Sequence, residues 1–175
     1  MTPAPPDVWG HPAIVVRESS IAGRGLFAST DIDAGVVVLR LGGRLVDSRE
    51  LEHLIATVIR GGYVDSVAVA IDLHLVLPPD TIAHYGNHSC VPNLWVVGPY
   101  ELATCRRIAA GEELTIDYGT ISDGPSFRMA CACGAPTCRG VVTGEDWRRA
   151  DLRGRFAGHW PPGLARRISG LGRDL

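Results

Sequence analysis

Three cysteines in the C-terminal half of the chain have the spacing of metal ligands. Cys131, Cys133 and Cys138 form the pattern C-x-C-x4-C, and Gly134 follows the second of them. This glycine lets the backbone turn so that two thiolates can reach one zinc ion at about 2.3 Å. The alternative is a loop with three unpaired buried thiols, but packing alone rarely gathers three cysteines so closely. The spacing therefore predicts a structural zinc site.

A tetrahedral zinc site needs a fourth ligand from another part of the chain. Cys90, within the segment Asn87–Asn93 (NHSCVPN), is the candidate. Cys105 competes with it, but it lies inside a predicted strand and is better explained as a buried apolar residue. An odd number of cysteines with three together argues against a disulfide framework. It favours an intracellular, reducing compartment, which would be the cytoplasm in a bacterium.

Three more segments carry residues that could bind a ligand or take part in catalysis. They are residues 23–28 (GRGLFA), Asn87 with His88, and residues 112–119, which include Tyr118. Each also has a structural explanation when taken alone. The first would be a glycine turn, the second a hydrogen-bonded loop, and Tyr118 an amphipathic residue at a strand end.

In combination, these motifs resemble those of the SET-domain protein-lysine methyltransferases that carry a post-SET zinc motif. The resemblance covers about residues 13–140 and includes GRGLFA, the gap-free NHSCVPN, ELTIDYG and the cysteine cluster. The chain departs from the family pattern in lacking a cysteine-rich pre-SET region and in its short connecting region, 47–80. With its composition, these departures indicate a compact, stand-alone enzyme of bacterial type.

The resemblance implies a mostly β fold, the SET-domain β-clip-like arrangement of several small sheets with a threaded pseudoknot. Short helices and a zinc-bound C-terminal segment would complete it. The expected divisions are a disordered arm at 1–10, a SET domain at 11–122, a post-SET zinc segment at 123–140 and a helical C-terminal extension at 141–175.

The resemblance also assigns roles to individual residues. Tyr118 would be the catalytic residue in methyl transfer from S-adenosylmethionine to a lysine amine. Ile116 would be the steric switch for product degree and would allow di- or trimethylation. Tyr63 would line the lysine channel. Trp147, which lies outside the residues that the resemblance covers, is a candidate cap for that channel. The residues expected to bind the cofactor are Gly23, Arg24, Gly25, Leu26, Tyr85, Asn87 and His88.

Hydrophobic patterning predicts the elements that position these residues. The predicted strands cover residues 13–17, 36–41, 67–77 (a strand pair or one long strand), 94–97, 101–106 and 114–118. A helix is predicted from the Asp47 cap to about Arg60, and two short helices within 147–167.

Charge and composition narrow the class of partner. The net charge is −2, and all 17 basic residues are Arg. Residues 1–144 carry a net −5 and residues 145–175 a net +3. An acidic main body suits a basic, lysine-containing protein substrate and disfavours a zinc-bound nucleic-acid binder. No apolar run is long enough for a membrane span.

The resemblance thus favours an S-adenosylmethionine-dependent protein-lysine methyltransferase with one structural Zn²⁺. The alternative is a non-catalytic, SET-like, zinc-stapled protein-interaction module. The presence of Asn87, His88 and Tyr118 together argues for the enzyme.

Overall fold

The computed structural model describes residues 3–58 and 64–171 of the 175-residue chain. Short strands in four small sheets dominate this part, which confirms the mostly β prediction. The strands are β1 (Trp9–Gly10), β2 (Ile14–Glu18), β3 (Arg24–Ala28), β4 (Val37–Arg40), β5 (Arg44–Val46), β6 (Ser66–Ala70), β7 (Leu73–Val76), β8 (Leu94–Val97), β9 (Glu101–Thr104), β10 (Glu113–Leu114), β11 (Arg128–Ala130) and β12 (Val141–Thr143). The helices are α1 (Ser48–Thr57), α2 (Ala150–Arg155) and α3 (Pro162–Gly170), with 3-10 helices at Ile82–Tyr85, Tyr118–Thr120 and Asp146–Arg148.

Each sheet pairs its strands antiparallel. The orders are β1-β4-β9-β8, β10-β3-β2, β5-β7-β6 and β11-β12. The alternating run at 67–77 folds as the β6–β7 hairpin, and the run at 94–106 folds as the β8–β9 hairpin. Gly98 has φ +71° at the second turn, a conformation that glycine adopts without a steric penalty. Within the described residues, none of the helices is long and apolar enough to cross a membrane.

Helix α1 starts where the sequence predicts. Asp47 caps it, because its carboxylate accepts a hydrogen bond from the Glu50 N–H at 2.7 Å. The helix ends at Thr57, and the predicted continuation to Arg60 lies outside the described residues. The two short helices predicted near the C-terminus are α2 and α3, and Pro162 occupies the first turn of α3.

Two predictions about local structure need correction. The strand predicted over 114–118 ends at Leu114, because the Asp117 carboxylate accepts a hydrogen bond from the Gly119 N–H and starts a 3-10 turn. The N-terminal arm expected to be disordered packs on the fold from residue 3. Its strand β1 pairs with β4, and the Pro5 carbonyl accepts a hydrogen bond from the Gly43 N–H.

Three apolar clusters form the interior. Two of them fill the spaces between the sheets of the main body, around Leu26, Leu114 and Leu75, which are all fully buried. The third cluster belongs to the C-terminal extension and consists of Trp147, Leu152, Phe156, Trp160 and Leu164. The extension is therefore a small packed unit with a core of its own.

This C-terminal unit is fastened to the main body at several points. The α3 backbone at Gly163 approaches Ala70 of β6 so closely that a Cβ at Gly163 would lie 2.5 Å from the Ala70 carbonyl carbon. The His159 ring stacks on Trp95 of β8, with centroids 3.5 Å apart and planes 7° apart. Arg155 donates a hydrogen bond to the Cys90 carbonyl at 2.7 Å.

A buried ion-pair network joins the main body, the cysteine loop and the C-terminal unit. The Arg139 guanidinium donates two hydrogen bonds of 2.6 Å to the Asp117 carboxylate, a bidentate pair. The Asp117 side chain is fully buried, and that of Arg139 is 6% exposed. Arg139 Nε also lies 3.2 Å from Asp146 Oδ2, an electrostatic contact without hydrogen-bond geometry. Burial opposes charge on Arg139, but its hydrogen bonds with Asp117 raise its pKa.

Gly163→Ala should separate α3 from β6, because the new Cβ meets backbone atoms that cannot rotate away. We expect a loss of about 1–3 kcal/mol in the free energy of unfolding, measured by chemical denaturation. Gly154→Ala in α2 is the matched control, since a Cβ there meets no described atom within 4 Å. It should leave stability unchanged or raise it by up to about 1 kcal/mol. Equal effects of the two changes would contradict the close contact.

Arg139→Leu should leave the buried Asp117 carboxylate without its partner. The expected loss is about 3–5 kcal/mol in the free energy of unfolding. Arg107→Leu is the matched control, because it removes an ion pair to Asp31 whose side chains are 70% and 50% exposed. That change should alter stability by about 1 kcal/mol or less. A small loss for Arg139→Leu would mean that the network does not join the three parts of the fold.

Candidate functional site

Two segments that are distant in sequence run side by side at the centre of the site. His88 and Ile116 form a parallel bridge. The Ile116 N–H donates to the Asn87 carbonyl at 3.1 Å, and the Ser89 N–H donates to the Ile116 carbonyl at 3.1 Å. The motif NHSCVPN thus lies directly beside the segment that leads to Tyr118, as the sequence resemblance implied.

Tyr118 is held at both its backbone and its hydroxyl group. Its N–H donates to His88 Nδ1 at 3.1 Å, and its hydroxyl donates to the Gly86 carbonyl at 2.7 Å. The side chain is half-buried, and its ring lies 5.4 Å from the His88 ring between centroids. The phenol oxygen therefore has a fixed position, which a group that orients a reacting atom requires.

A small, partly open cavity of about 70 Å³ lies beside Tyr118. Its walls are mostly aliphatic, and Gly86, Ile116 and Tyr118 all line it. The remaining lining residues are Leu39, Leu41, Asp65, Ser66, Val67, Leu77, Ala83, His84, Leu94, Leu102, Leu114 and Ile121. A chamber of this kind suits a narrow aliphatic chain that ends in one polar group.

A larger cleft of about 600 Å³ also borders Tyr118. It lies between α1 and the segment 121–128, and it shares Asp65, His84 and Tyr118 with the small cavity. Asp65 is hydrogen-bonded to His84, yet burial raises the pKa of Asp65 above its usual range. Tyr118 therefore lines both the small cavity and the larger cleft.

The glycine turn and Asn87 meet at one carboxylate, that of Glu113. Asn87 Nδ2 donates to Glu113 Oε1 at 2.8 Å and contacts the carbonyls of Ala22 and Arg24 at 3.2 and 3.1 Å. Ser19 Oγ lies 2.9 Å from both carboxylate oxygens. These contacts fix the Asn87 amide, and its Oδ1 accepts no hydrogen bond from the described residues. That oxygen can accept one from a ligand.

Gly25 makes this arrangement possible. A Cβ at Gly25 would lie 2.1 Å from Glu113 Oε1 and 3.1 Å from Asn87 Nδ2. Only glycine leaves room for the carboxylate to reach the Asn87 amide beneath the turn. Gly23 has φ +46°, which shapes the preceding turn.

Three other predicted cofactor-binding residues near this turn, Arg24, Tyr85 and Leu26, differ in their exposure and contacts. Arg24 is exposed and donates a hydrogen bond of 2.6 Å to the Tyr85 hydroxyl. Its guanidinium also lies 4.4 Å from the centroid of the Tyr85 ring. The Leu26 side chain is fully buried in the core, so only its backbone could face a ligand.

Three of the four predicted zinc ligands converge. Donor atoms of Cys90, Cys131 and Cys133, together with one of His88, all lie within 4.8 Å of one another, and Cys138 is not in this group. The sulfurs of Cys90 and Cys131 are 3.8 Å apart, which is the separation that a tetrahedral ion with bonds of about 2.3 Å would impose. The donor set therefore fits a zinc ion.

The cysteine loop is closed by the β11–β12 hairpin, since Cys131 N–H donates to the Gly140 carbonyl. Burial raises the pKa of Cys131 to about 12. Burial also opposes ionisation of Cys133, but N–H groups of Cys90 and Ala135 lower its pKa to about 6. Neighbouring thiols of Cys131 and Cys138 lower this pKa as well, so backbone and thiol donors together stabilise one thiolate of the cluster.

Cys138 and Cys105 differ in their relation to this cluster. Cys138 is exposed, and its sulfur lies 3.5 Å from the Cys131 carbonyl. Its thiol also interacts with those of Cys131 and Cys133. Cys105 contacts the Pro92 carbonyl at 3.8 Å and lies outside the cluster. It is partly buried and directly follows β9, rather than being a fully buried strand residue as expected.

One predicted channel residue is not brought to the site. Trp147 is 4% exposed and packs in the third apolar cluster with Leu152, Phe156, Trp160 and Leu164. Because its ring is used there, it lines neither the cavity nor the cleft beside Tyr118. Ile116 does line the cavity. Tyr63 lies outside the described residues.

Sequence reasoning missed three contributors to the site. Arg139 donates hydrogen bonds to the Asp117 carboxylate, and Arg155 donates one to the Cys90 carbonyl. Ser19 donates one to the Glu113 carboxylate. Each partner is at least 22 residues away in sequence, so no spacing rule links them. Glu113 itself stood in the ELTIDYG motif, but nothing local indicates that it contacts Asn87.

The sequence profile of the SET domain family matches residues 23–119. The chain is 34% identical over 128 residues to the H3 lysine-4 specific histone-lysine N-methyltransferase of Schizosaccharomyces pombe, covering 67% of this chain and 14% of that protein. It is 37% identical over 152 residues to histone-lysine N-methyltransferase ATX2 of Arabidopsis thaliana, covering 77% of this chain and 14% of the relative. The chain thus spans about one seventh of the length of each of these relatives.

Solved structures share the fold. The methyltransferase domain of human histone-lysine N-methyltransferase SETMAR superimposes with a TM-score of 0.63 at 22% identity, covering 77% of this chain and 58% of that one. KRYPTONITE in complex with mCHG DNA and SAH gives a TM-score of 0.56 at 23% identity, covering 74% and 28% of the respective chains. The family profile covers more than half of the chain, and the site residues stand at its motifs. This chain therefore belongs to the SET domain family.

Proposed function

We propose that this protein transfers a methyl group from S-adenosylmethionine to the side-chain amine of a lysine in a protein substrate. The observation that carries the proposal is the position of Tyr118. The Gly86 carbonyl fixes its hydroxyl, and Tyr118 lines both the small apolar cavity and the larger cleft, beside the Asn87–His88 segment. The names of the relatives, histone-lysine N-methyltransferases, support the same reaction class.

The cofactor would bind at the turn formed by residues 23–25. Asn87 presents its Oδ1 there, because Nδ2 is committed to Glu113 and to two carbonyls. A carboxamide oxygen held in this way can accept a hydrogen bond from the ammonium group of an amino-acid ligand. When bound, S-adenosylmethionine supplies the methyl group on a sulfonium sulfur, which is the leaving group of an in-line displacement.

The apolar cavity would prepare the substrate amine. A free lysine, with a pKa of about 10.4, requires about 4–5 kcal/mol to lose its proton at pH 7. Aliphatic walls such as Ile116 disfavour the charged ammonium and so lower that pKa. The absence of a hydroxyl group at residue 116 also leaves no side-chain partner for a water molecule, which favours addition of more than one methyl group.

Tyr118 would act by position and polarity. Its hydroxyl donates to the Gly86 carbonyl, which holds the phenol oxygen in one position from which it can polarise the methyl group. The Gly86 carbonyl adds a second oxygen nearby. Alignment of the reacting atoms between these two fixed oxygens contributes most of the rate enhancement.

The metal would be structural. We assign its site to Cys90, Cys131 and Cys133, which converge, and to Cys138, whose thiol interacts with those of Cys131 and Cys133. Zinc is the expected ion because thiolates favour it. An ion there would hold the β11–β12 loop against the NHSCVPN segment. Ligation by free thiols also suits a protein of a reducing, intracellular compartment.

The substrate would be a basic segment of a protein. The main body carries a net charge of −5, and Asp65 lines the cleft at its junction with the cavity. A cationic peptide would offset the burial that raises the pKa of Asp65.

Tyr118→Phe should lower kcat for methyl transfer by about 10²-fold or more, since the ring keeps its place but the oxygen is lost. The measurement is transfer of labelled methyl from S-adenosylmethionine to a cell extract. The chain has no lysine, so its own band stays unlabelled. Tyr100→Phe is the matched control, because Tyr100 is buried in the second apolar cluster and lines neither cavity nor cleft. It should retain activity within a few-fold.

Full activity in Tyr118→Phe would remove Tyr118 from the reaction. No transfer by the wild type, combined with zinc and peptide binding, would favour the non-catalytic interaction module.

Gly25→Ala should weaken cofactor binding by about 10-fold or more, because the new Cβ displaces the Glu113 carboxylate that orients Asn87. Titration calorimetry with S-adenosylmethionine measures the affinity directly. Gly154→Ala, which introduces the same methyl group in open space, should bind the cofactor as the wild type does. Unchanged affinity in Gly25→Ala would show that this turn is not the cofactor site.

A further inference from the structure

The His88 side chain lies between the cysteine cluster and the backbone of Tyr118. The side chain is 3% exposed. Nδ1 is 3.1 Å from the Tyr118 backbone nitrogen, and Nε2 is 3.4 Å from Cys90 Sγ. One imidazole ring thus touches both a proposed metal ligand and the proposed catalytic residue.

The contact with Tyr118 determines where the ring carries its proton. A backbone N–H group can only donate, so His88 Nδ1 must accept with its lone pair. A neutral imidazole has one N–H group, which then lies on Nε2. Nε2 can therefore donate a hydrogen bond to the Cys90 sulfur, but it has no lone pair to offer to a metal ion.

The neighbouring charges do not alter this assignment. Asp117 Oδ1 lies 3.7 Å from His88 Nδ1, beyond hydrogen-bond distance. Both Asp117 oxygens already accept hydrogen bonds from Arg139, and one also accepts from the Gly119 N–H. A proton on Nδ1 would face the Tyr118 N–H at 3.1 Å, which the geometry disfavours.

We propose that His88 is a positioning residue that donates an Nε2–H hydrogen bond to the metal-bound Cys90 thiolate and accepts one from the Tyr118 backbone. This proposal rests on the function proposed above. His88 lies close enough to the three sulfurs to be mistaken for a fourth ligand, and its tautomer excludes that role. Together with the Arg139 N–H, 3.3 Å from the same sulfur, it supplies two donors to Cys90. Such hydrogen bonds orient a ligand and strengthen metal binding.

Two substitutions separate the two bonds of His88. In His88→Asn, the Asn oxygen takes the place of Nδ1 and can still accept from Tyr118, but the donor to Cys90 is lost. In His88→Gln, the amide nitrogen takes the place of Nε2 and can still donate to Cys90, but the acceptor for Tyr118 is lost. His159→Gln is the matched control, because His159 packs on Trp95 away from the site.

Zinc release to a colorimetric chelator and kcat are then measured on the zinc-loaded protein. His88→Asn should release zinc about 10-fold faster than the wild type and should lose less kcat than His88→Gln does. His88→Gln should release zinc at nearly the wild-type rate and lose about 10-fold in kcat, with the KM for S-adenosylmethionine unchanged. The control should alter neither quantity. If His88 only fills space, both substitutions change both quantities together, which would overturn the proposal.

Two spectroscopic measurements test the assignment without methyl transfer. Nitrogen-15 NMR should show His88 as the Nε2–H tautomer, and X-ray absorption at the zinc edge should show four sulfur ligands. A proton on Nδ1, a nitrogen ligand on zinc, or a protein that holds no zinc would each overturn the proposal. A protein with the expected tautomer and four sulfur ligands, but without methyl transfer, would refute the proposed function and leave the role of His88 intact.

Discussion

The buried ion pair between Asp117 and Arg139 is the interaction on which the site most depends. Asp117 directly precedes Tyr118, and Arg139 directly follows Cys138, so one bidentate contact joins the catalytic segment to the cysteine loop. A buried carboxylate and guanidinium each lose several kcal/mol of hydration, which only good geometry returns. The pair therefore favours one arrangement of the two segments and strongly disfavours any that separates the charges.

The C-terminal unit supplies a second acidic residue, Asp146, beside that ion pair. Asp146 faces Arg139 and immediately precedes Trp147, whose indole is buried in the third apolar cluster. Burial of the large side chains of this cluster contributes about 1.5–3 kcal/mol for each of them, far more than one exposed ion pair. The apolar packing of the extension thus holds Asp146 in place, and Asp146 in turn offsets the positive charge of Arg139. This explains why Trp147 is unsuited to a substrate channel.

The sequence was informative where chemistry is local. The Asp47 cap and the alternating run of β6 and β7 are short-range patterns, and the structure agrees with both. The cysteine spacing is met in part, because Cys131 and Cys133 converge with Cys90 but Cys138 is not in that group. The sequence was uninformative where one side chain finds its partner across the fold, as Glu113 finds Asn87 and Arg139 finds Asp117. The strand predicted to reach Tyr118 fails for a related reason, since a side-chain cap overrides a β-branched run. Long-range polar contacts have no period, so only the folded chain shows them.

The polar groups of the site lie around the glycine turn, and its aliphatic groups line the cavity beside Tyr118. Around the glycine turn, Ser19, Glu113 and Asn87 form a connected polar network that orients one amide oxygen outward. Beside Tyr118, the cavity walls are almost entirely aliphatic, and the tyrosine hydroxyl and the Gly86 carbonyl are paired with each other. A charged sulfonium group can be held from the polar side while a neutral amine is favoured on the apolar side. Hydrogen bonds to His88 and Gly86 fix the backbone and the hydroxyl group of Tyr118. Tyr118 marks the boundary between the polar and the apolar environment, where the methyl group would have to pass.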